Sequence, residues 1–375
     1  MKIVYVTDAL AILGGIERVL VDKVNMLTEQ LRYDIFVITV NQGDHPIPFP
    51  LYPRVVHQDL GLHFHQQYRF HGLRRMMKIM ELNRLFKKQL HEQFLQIQPD
   101  VIVCIRIELL RAILSVKGGI PLVFESHGMR HAGRFAHANW FERLKAAYYN
   151  RVVRHIQQIV ALTEGDARDW HKANSRVSII PNVVHLNPLG RCCIHQAKSV
   201  IFVGRFHTQK DIPSLLTIWQ MVYQRHPNWQ LQMYGDYGDE QAALLSKISH
   251  VNTNIVVHEP TSDIFNCYLE SSVLVLTSLY EPFGLVLPEA MSCGLPVVAF
   301  DCPYGPADII TDGQDGFLIR HRDMNDFAEK VCLLIENEAL RQRMGQAAVL
   351  SAQRYQSSRI MPMWKKLFES LSGKE

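Results

Sequence analysis

Short apolar runs rich in Val and Ile alternate with segments of helical periodicity along nearly the whole chain, and that alternation leaves few folds open. In the first half the runs are Ile3–Val6, Ile35–Val40, Val101–Ile105, Leu122–Glu125 and Gln158–Leu162. In the second they are Val200–Val203, Gln230–Tyr234, Ile255–Val257, Val273–Thr277 and Pro296–Ala299. Strands that read as continuous apolar runs, each followed by a helix, belong to parallel sheets covered on both faces. A chain of 375 residues exceeds one ordinary core, so each half is expected to be a doubly wound α/β unit. The periodicity breaks near Val184–Lys198, where Pro188, Gly190 and the Cys192-Cys193 pair fall. The predicted division is therefore 1–188, 189–353 and a last helical stretch, 354–375, packing back toward the first domain. Two such domains are expected to face each other across a cleft, with ligands outside the carboxyl ends of the strands.

Several classes are disfavoured. No run of eighteen apolar residues is present, so no spanning helix is expected. The opening stretch Met1–Thr7 reads as a buried strand rather than a signal peptide. The seven cysteines are scattered without a Cys-x-x-Cys pair, which argues against a zinc site or disulfide framework and for a reducing cytoplasm. Residues 1–190 carry 24 Lys+Arg against 16 Asp+Glu, whereas the chain as a whole has a net charge of +4. The first half is thus basic and suited to an anionic neighbour.

The loops after the strands are where chemistry is expected. Gly14-Gly15 follows the first strand and opens a helix, where backbone amides can approach a phosphate or sugar; a plain strand-to-helix turn fits equally. In the second half a strand ends at Gly204-Arg205, with Lys210 shortly before a helix. Arg and Lys there can neutralise a diphosphate leaving group, or can be ordinary solvated cations. The segment Glu281-Pro282-Phe283-Gly284-Leu285-Val286-Leu287-Pro288-Glu289 places two carboxylates eight positions apart around a tight loop. Glu289 in a first helical turn stays ionised and can accept from a diol, while the amides of Phe283–Val286 can bind hydroxyl or phosphate oxygens. Glu289 offsetting a helix dipole beside a solvated Glu281 is the plainer alternative.

Glu281 and Glu289, with Pro-Phe-Gly between, resemble the Glu-x7-Glu motif of retaining glycosyltransferases of family 4, which have a GT-B-type fold. Gly14-Gly15 is similar to that family's first loop, Glu125-Ser126-His127-Gly128 to its histidine loop, and Ile180-Pro181-Asn182 to the entry of its second domain. Gly204-Arg205 with Lys210 resembles its phosphate-binding pair, and Ala290–Val298 and Asp315–Leu318 the helix and strand that follow. The resemblance implies that Arg205 and Lys210 hold a donor diphosphate and Glu289 the ribose. It implies further that Glu281 and the Phe283, Gly284, Leu285 and Val286 amides face the donor sugar, that His127 meets it, and that Gly15 lies under the phosphates. The base would be met near Tyr234-Gly235-Asp236 and at Val257-His258-Glu259; that last stretch departs from the family's glycine-containing form. Arg130, His131 and Arg134 are either acceptor-phosphate contacts or solvated.

The expected activity is metal-independent transfer of a hexose or N-acetylhexosamine from a UDP-sugar to a growing, lipid-linked surface glycan, with retention and no cofactor. No Asp-x-Asp is present, and Arg205 and Lys210 can supply the charge a metal would. A sugar-nucleotide epimerase or hydrolase of the same fold, and a non-catalytic glycan- or nucleotide-binding module, are the alternatives. Tyr68–Lys88 carries Arg69, Arg74, Arg75, Lys78, Arg84, Lys87 and Lys88 against Glu81, interleaved with Phe70, Leu73, Met76, Met77, Met80 and Phe86. Such a helix either lies on an anionic membrane face or packs on its own sheet with a solvated basic face. No nucleic-acid motif accompanies the charge.

Overall fold

Side chains of the expected runs are mostly buried on both faces, as they must be when helices cover a parallel sheet. A computed structural model of the chain describes residues 1–12, 14–128, 140–193, 195–236 and 254–373. The chain forms two units, Met1–Val183 with Ser357–Glu375, and Val184–Gln356. Each carries its own parallel sheet.

Unit 1 contains β1 (Lys2–Thr7), β2 (Asp34–Thr39), β3 (Val56–Asp59), β4 (Val101–Cys104), β5 (Leu122–Glu125), β6 (Gln158–Ala161) and β7 (Val177–Ile179), in the order β3-β2-β1-β4-β5-β6-β7. β1 is central, pairing Ile3 with Ile35 on one side and with Val101 on the other. The edge strands β3 and β7 are not apparent in the sequence. Val56-His57-Gln58-Asp59 has one apolar residue, and it is extended because β2 offers an open edge, Phe36 against Val56. Helices α1 (Gly15–Glu29), α2 (Gly72–Ile97), α3 (Leu110–Val116), α4 (Trp140–Val153) and α5 (Glu164–His171) connect these strands.

α2 divides into two halves. Leu82, Phe86, Leu90, Phe94 and Ile97, spaced by three to four residues, are buried on the sheet. Leu73, Met76, Met77 and Met80 are 59–73% exposed. Phe86 therefore belongs to the core and not to an outward apolar face. No described helix is long and apolar enough to cross a membrane.

Unit 2 contains β8 (Ser199–Val203), β9 (Gln230–Tyr234), β10 (Ile255–His258), β11 (Val273–Leu276), β12 (Val297–Asp301) and β13 (Gly316–Arg320), in the order β10-β9-β8-β11-β12-β13. Among the described residues its helices are α6 (Ile212–Arg225), α7 (Ile264–Leu269), α8 (Val286–Ser292), α9 (Gly305–Ile309), α10 (Met324–Glu336) and α11 (Glu338–Ala352). Trp219, Phe300 and Phe327 fill the core between sheet and helices. The last helix, α12 (Ser357–Ser372), rejoins unit 1, where Ile360, Met361, Trp364, Leu367 and Phe368 pack with Ile3, Tyr5, Leu20 and Val24. Burying each of those large side chains contributes about 1.5–3 kcal/mol, enough to make α12 part of that core.

Both sheets reverse their strand order beside the first strand of the unit, between β1 and β4 and between β8 and β11. The loops leaving those strands splay apart there and open a crevice at the carboxyl edge.

Candidate functional site

At the unit 2 reversal, two loops are tied together. Gly204 directly follows β8 and donates its amide to Tyr234 O at 2.9 Å. A Cβ on Gly235 would come within 2.0 Å of Gly204 O, and one on Gly204 within 2.9 Å of Lys210 Cε. Only glycine lets these strand ends and the lysine approach so closely. Thr208–Lys210 forms a 3-10 turn, after which α6 begins. The loop after β11 is fastened to it: Leu279 N donates to Gln209 O at 2.8 Å, Gln209 Nε2 to Tyr280 O at 3.0 Å, and Thr277 Oγ1 to Lys210 O at 2.9 Å. Lys210 Nζ lies against Glu281 Oε1 as an ion pair, and Ser278 Oγ donates to the same oxygen at 2.8 Å. The Lys210 and Glu281 side chains are only 15% and 7% exposed, so little water screens them. Arg205 stands exposed at the rim.

The Glu281–Glu289 segment is fixed by its backbone. Glu281 N donates to Pro303 O and Gly305 N to Glu281 O, each at 2.8 Å. A Cβ on Gly305 would fall 1.8 Å from Phe283 O. Phe283 is buried edge-on against Tyr355, with ring centroids 5.3 Å apart. Gly284 takes φ +94°, a left-handed value that favours glycine. Among the described residues, the amides of Gly284, Leu285 and Val286 donate to no protein acceptor. Glu289, in the first turn of α8, is 5% exposed and receives the Tyr268 hydroxyl at 3.4 Å. Lys210, Ser278 and Glu281 are thus brought together, while Glu289 is held on its own partner.

His258, at the end of β10, stacks on Tyr234 with ring centroids 4.3 Å apart and the planes at 11°, and its Nε2 meets Gln232 Oε1 at 2.5 Å. Burial, with Cys267 adding to it, raises the Tyr234 hydroxyl well above its usual range, so it stays protonated. Burial likewise pushes the Cys193 and Cys293 thiols up to about 12, which leaves them poor nucleophiles.

Unit 1 carries His127 and Gly15. Gly15 is the first, exposed residue of α1. His127 follows β5, with Nε2 2.9 Å from Glu125 Oε1, and Lys23 Nζ contacts Glu125 Oε2 from the other side. All three side chains are 4% exposed or less. Lys23 Nζ also lies 4.6 Å from the Trp364 ring centroid. Burial alone would raise the Glu125 carboxyl, but Lys23 and His127 overcome that and bring it down to about 2. The loop is held further by Trp170 Nε1, which donates to Ser126 Oγ at 3.0 Å. Arg130, His131 and Arg134 lie outside the described residues.

The family described as Glycosyltransferase Family 4 matches residues 13–188, and that described as Glycosyl transferases group 1 matches residues 194–350. The chain belongs to glycosyltransferase family 4. This glycosyltransferase is 28% identical to the amylovoran biosynthesis glycosyltransferase AmsD of Erwinia amylovora, across 97% of this chain and 98% of that one. It is 27% identical to an uncharacterized glycosyltransferase of Haemophilus influenzae, across 94% and 95%. In fold it resembles TarM of S. aureus, with a TM-score of 0.80 at 16% identity over 98% of each chain. HepE of Anabaena, solved with UDP and glucose, has a TM-score of 0.75 at 19% identity over 99% of this chain and 100% of that one.

Three residues of these two separate clusters escape a reading of the sequence. Ser278 and Tyr268 are ordinary types at unremarkable positions, and only folding aims them at the two carboxylates. Lys23 left a signal: it lies on the same buried stripe of α1 as Leu20, Val24 and Leu27. A lysine there calls for a buried anion.

Proposed function

We propose that this glycosyltransferase moves a hexose or N-acetylhexosamine from a UDP-sugar, with retention of anomeric configuration, to a growing, lipid-linked surface glycan. The observation that carries the reading is the half-enclosed Lys210–Glu281 pair at the unit 2 strand reversal, beside free amides of the Gly284–Val286 turn. A diphosphate competes with Glu281 for the Lys210 ammonium, and Arg205 adds a second charge from the rim. In this reading Glu289 accepts from the ribose hydroxyls, and the strand ends at Gly235 and His258 meet the base. Glu281 and the Phe283–Val286 turn face the donor sugar, with His127 as a sugar contact carried by unit 1 and Gly15 as a phosphate contact. The UDP and glucose named with HepE support the donor class, and the amylovoran role named for the Erwinia relative supports a surface glycan.

The chemistry follows from the charges. As the bond from the anomeric carbon to the diphosphate oxygen loosens, negative charge grows on the leaving group, and Lys210 and Arg205 stabilise it without a metal ion. The acceptor hydroxyl attacks on the same face, and its proton passes to the departing phosphate oxygen. Seven cations and the exposed apolar side chains Leu73, Met76, Met77 and Met80 in and beside the first half of α2 support contact with an anionic membrane surface.

The test is UDP release from a panel of UDP-sugars, with and without glycan acceptor and with a chelator present. Lys210→Ala is expected to lower turnover by about 10²–10³-fold, the cost of removing one charge stabiliser. Turnover at the wild-type rate in that variant refutes the assignment, and abolition by the chelator refutes metal independence.

A further inference from the structure

Unit 1 contains a cavity of about 1240 Å³ that the donor-side reading does not use. Asp8, Asn41 and Arg106, which follow β1, β2 and β4, line it, so it opens at that sheet's own strand reversal. The volume exceeds the ~300–1,000 Å³ of common small-molecule clefts and suits the end of an oligosaccharide more than a single ring. Its lining mixes aromatic and aliphatic side chains with polar ones, and among its charged residues four cations face two carboxylates. Arg84 and Lys87 stand three residues apart on one face of α2, Arg106 leaves β4, and Arg111 projects from α3. Asp8 and Glu108 are the two carboxylates among them.

Among the described residues, these cations are not used up by partners. Arg106 has Nη2 3.6 Å from Glu17 Oε1, yet its buried Nε has no hydrogen-bond acceptor among the described residues. About a third of the Arg106 side chain is exposed, so N–H groups elsewhere on the guanidinium are available to an oxyanion. Arg111 Nη1 donates to Tyr148 OH at 3.0 Å, which holds the guanidinium at the cavity wall with its remaining N–H groups available. Arg75 stacks on the cavity-lining Tyr68 at 4.8 Å and ties the 3-10 turn Phe64–Arg69 to α2. Asn41 Nδ2 donates to Asp8 Oδ1, fixing a carboxylate suited to sugar hydroxyls.

We propose that this cavity binds an anionic saccharide, the acceptor's phosphate- or carboxylate-bearing end, with Arg84, Lys87, Arg106 and Arg111 on the charge and Asp8 and Glu108 on hydroxyls. The word acceptor rests on the transferase reading; the binding of an anionic sugar does not. The experiment is calorimetric titration of the full chain, saturated with UDP to occupy the donor site, with glucose 6-phosphate, glucuronic acid and methyl glucoside. At least one anionic probe is expected to bind about tenfold or more tightly than methyl glucoside, and which one identifies the acceptor's charged group. Arg84→Ala and Arg111→Ala, both at exposed positions, are each expected to weaken that probe by about tenfold, as for a lost charge-assisted hydrogen bond, with UDP affinity unchanged. Arg84→Lys should recover part of the loss. Equal affinity for all three sugars, or unchanged affinity in both alanine variants, overturns the proposal. Lys210→Ala should do the reverse, losing UDP and keeping the anionic sugar. A wild-type chain that binds the anionic sugar but not UDP overturns the donor reading and leaves this one standing.

Discussion

Replacing Lys23 by Met tests the buried charge cluster of unit 1 with a magnitude set by the structure. The Met side chain keeps most of the packing against Tyr5 and Trp364 but removes the ammonium from Glu125, whose side chain is 1% exposed. With only His127 left beside it, a carboxylate at that depth costs several kcal/mol, and it escapes by taking up a proton. From an ordinary value of 4.5, protonation at pH 7 costs about 3 kcal/mol, at 1.36 kcal/mol per pH unit. At pH 5 the same step costs about 0.7 kcal/mol. The sign follows: in the wild type the Glu125 value is depressed, so its stabilisation is present above 4.5 and is lost as pH falls toward 2. In Lys23→Met the value is raised, so the variant's deficit grows as pH rises. Urea denaturation followed by circular dichroism at pH 5 and pH 7 measures both numbers. The thermal midpoint should drop by about 6–12 °C at pH 7 for a unit of this size. A deficit equal at the two pH values would assign the loss to packing, and no deficit at pH 7 would refute the argument.

Gly305→Ala pushes a methyl group onto Phe283 O; it should destabilise the chain by about 1–3 kcal/mol and lower turnover by displacing Glu281, whereas unchanged kinetics would mean that the loop does not position the site. Tyr268→Phe removes the hydroxyl donated to Glu289 and is expected to weaken nucleotide binding about three- to tenfold, in line with one hydrogen bond, with little change in thermal midpoint. Changing Leu73, Met76, Met77 and Met80 together to Ser should abolish sedimentation with phosphatidylglycerol vesicles, while each exposed substitution shifts stability by less than about 0.5 kcal/mol. Wild-type protein that ignores such vesicles would refute the membrane reading.

The alternation of apolar runs with helical segments was enough to determine two parallel α/β sheets, because a strand buried on both faces must be apolar at nearly every position. Glycine and proline spacing between Glu281 and Glu289 likewise marked a tight loop carrying two carboxylates. The edge strands β3 and β7 were invisible, since an edge is recruited by its neighbour's open hydrogen bonds and not by its own composition. Tyr68–Lys88 left open which of its apolar residues are core, and the tertiary structure buries Phe86 while exposing Leu73, Met76, Met77 and Met80. Pairings across the sequence were decided only by folding. Lys210 meets Glu281 because β8 and β11 are neighbours at a strand reversal, Glu289 finds Tyr268 on the helix before β11, and Lys23 is enclosed by β5 and by a helix more than three hundred residues later. Local pattern sets which residues can form an element; which charges meet depends on strand order, and no local pattern encodes it.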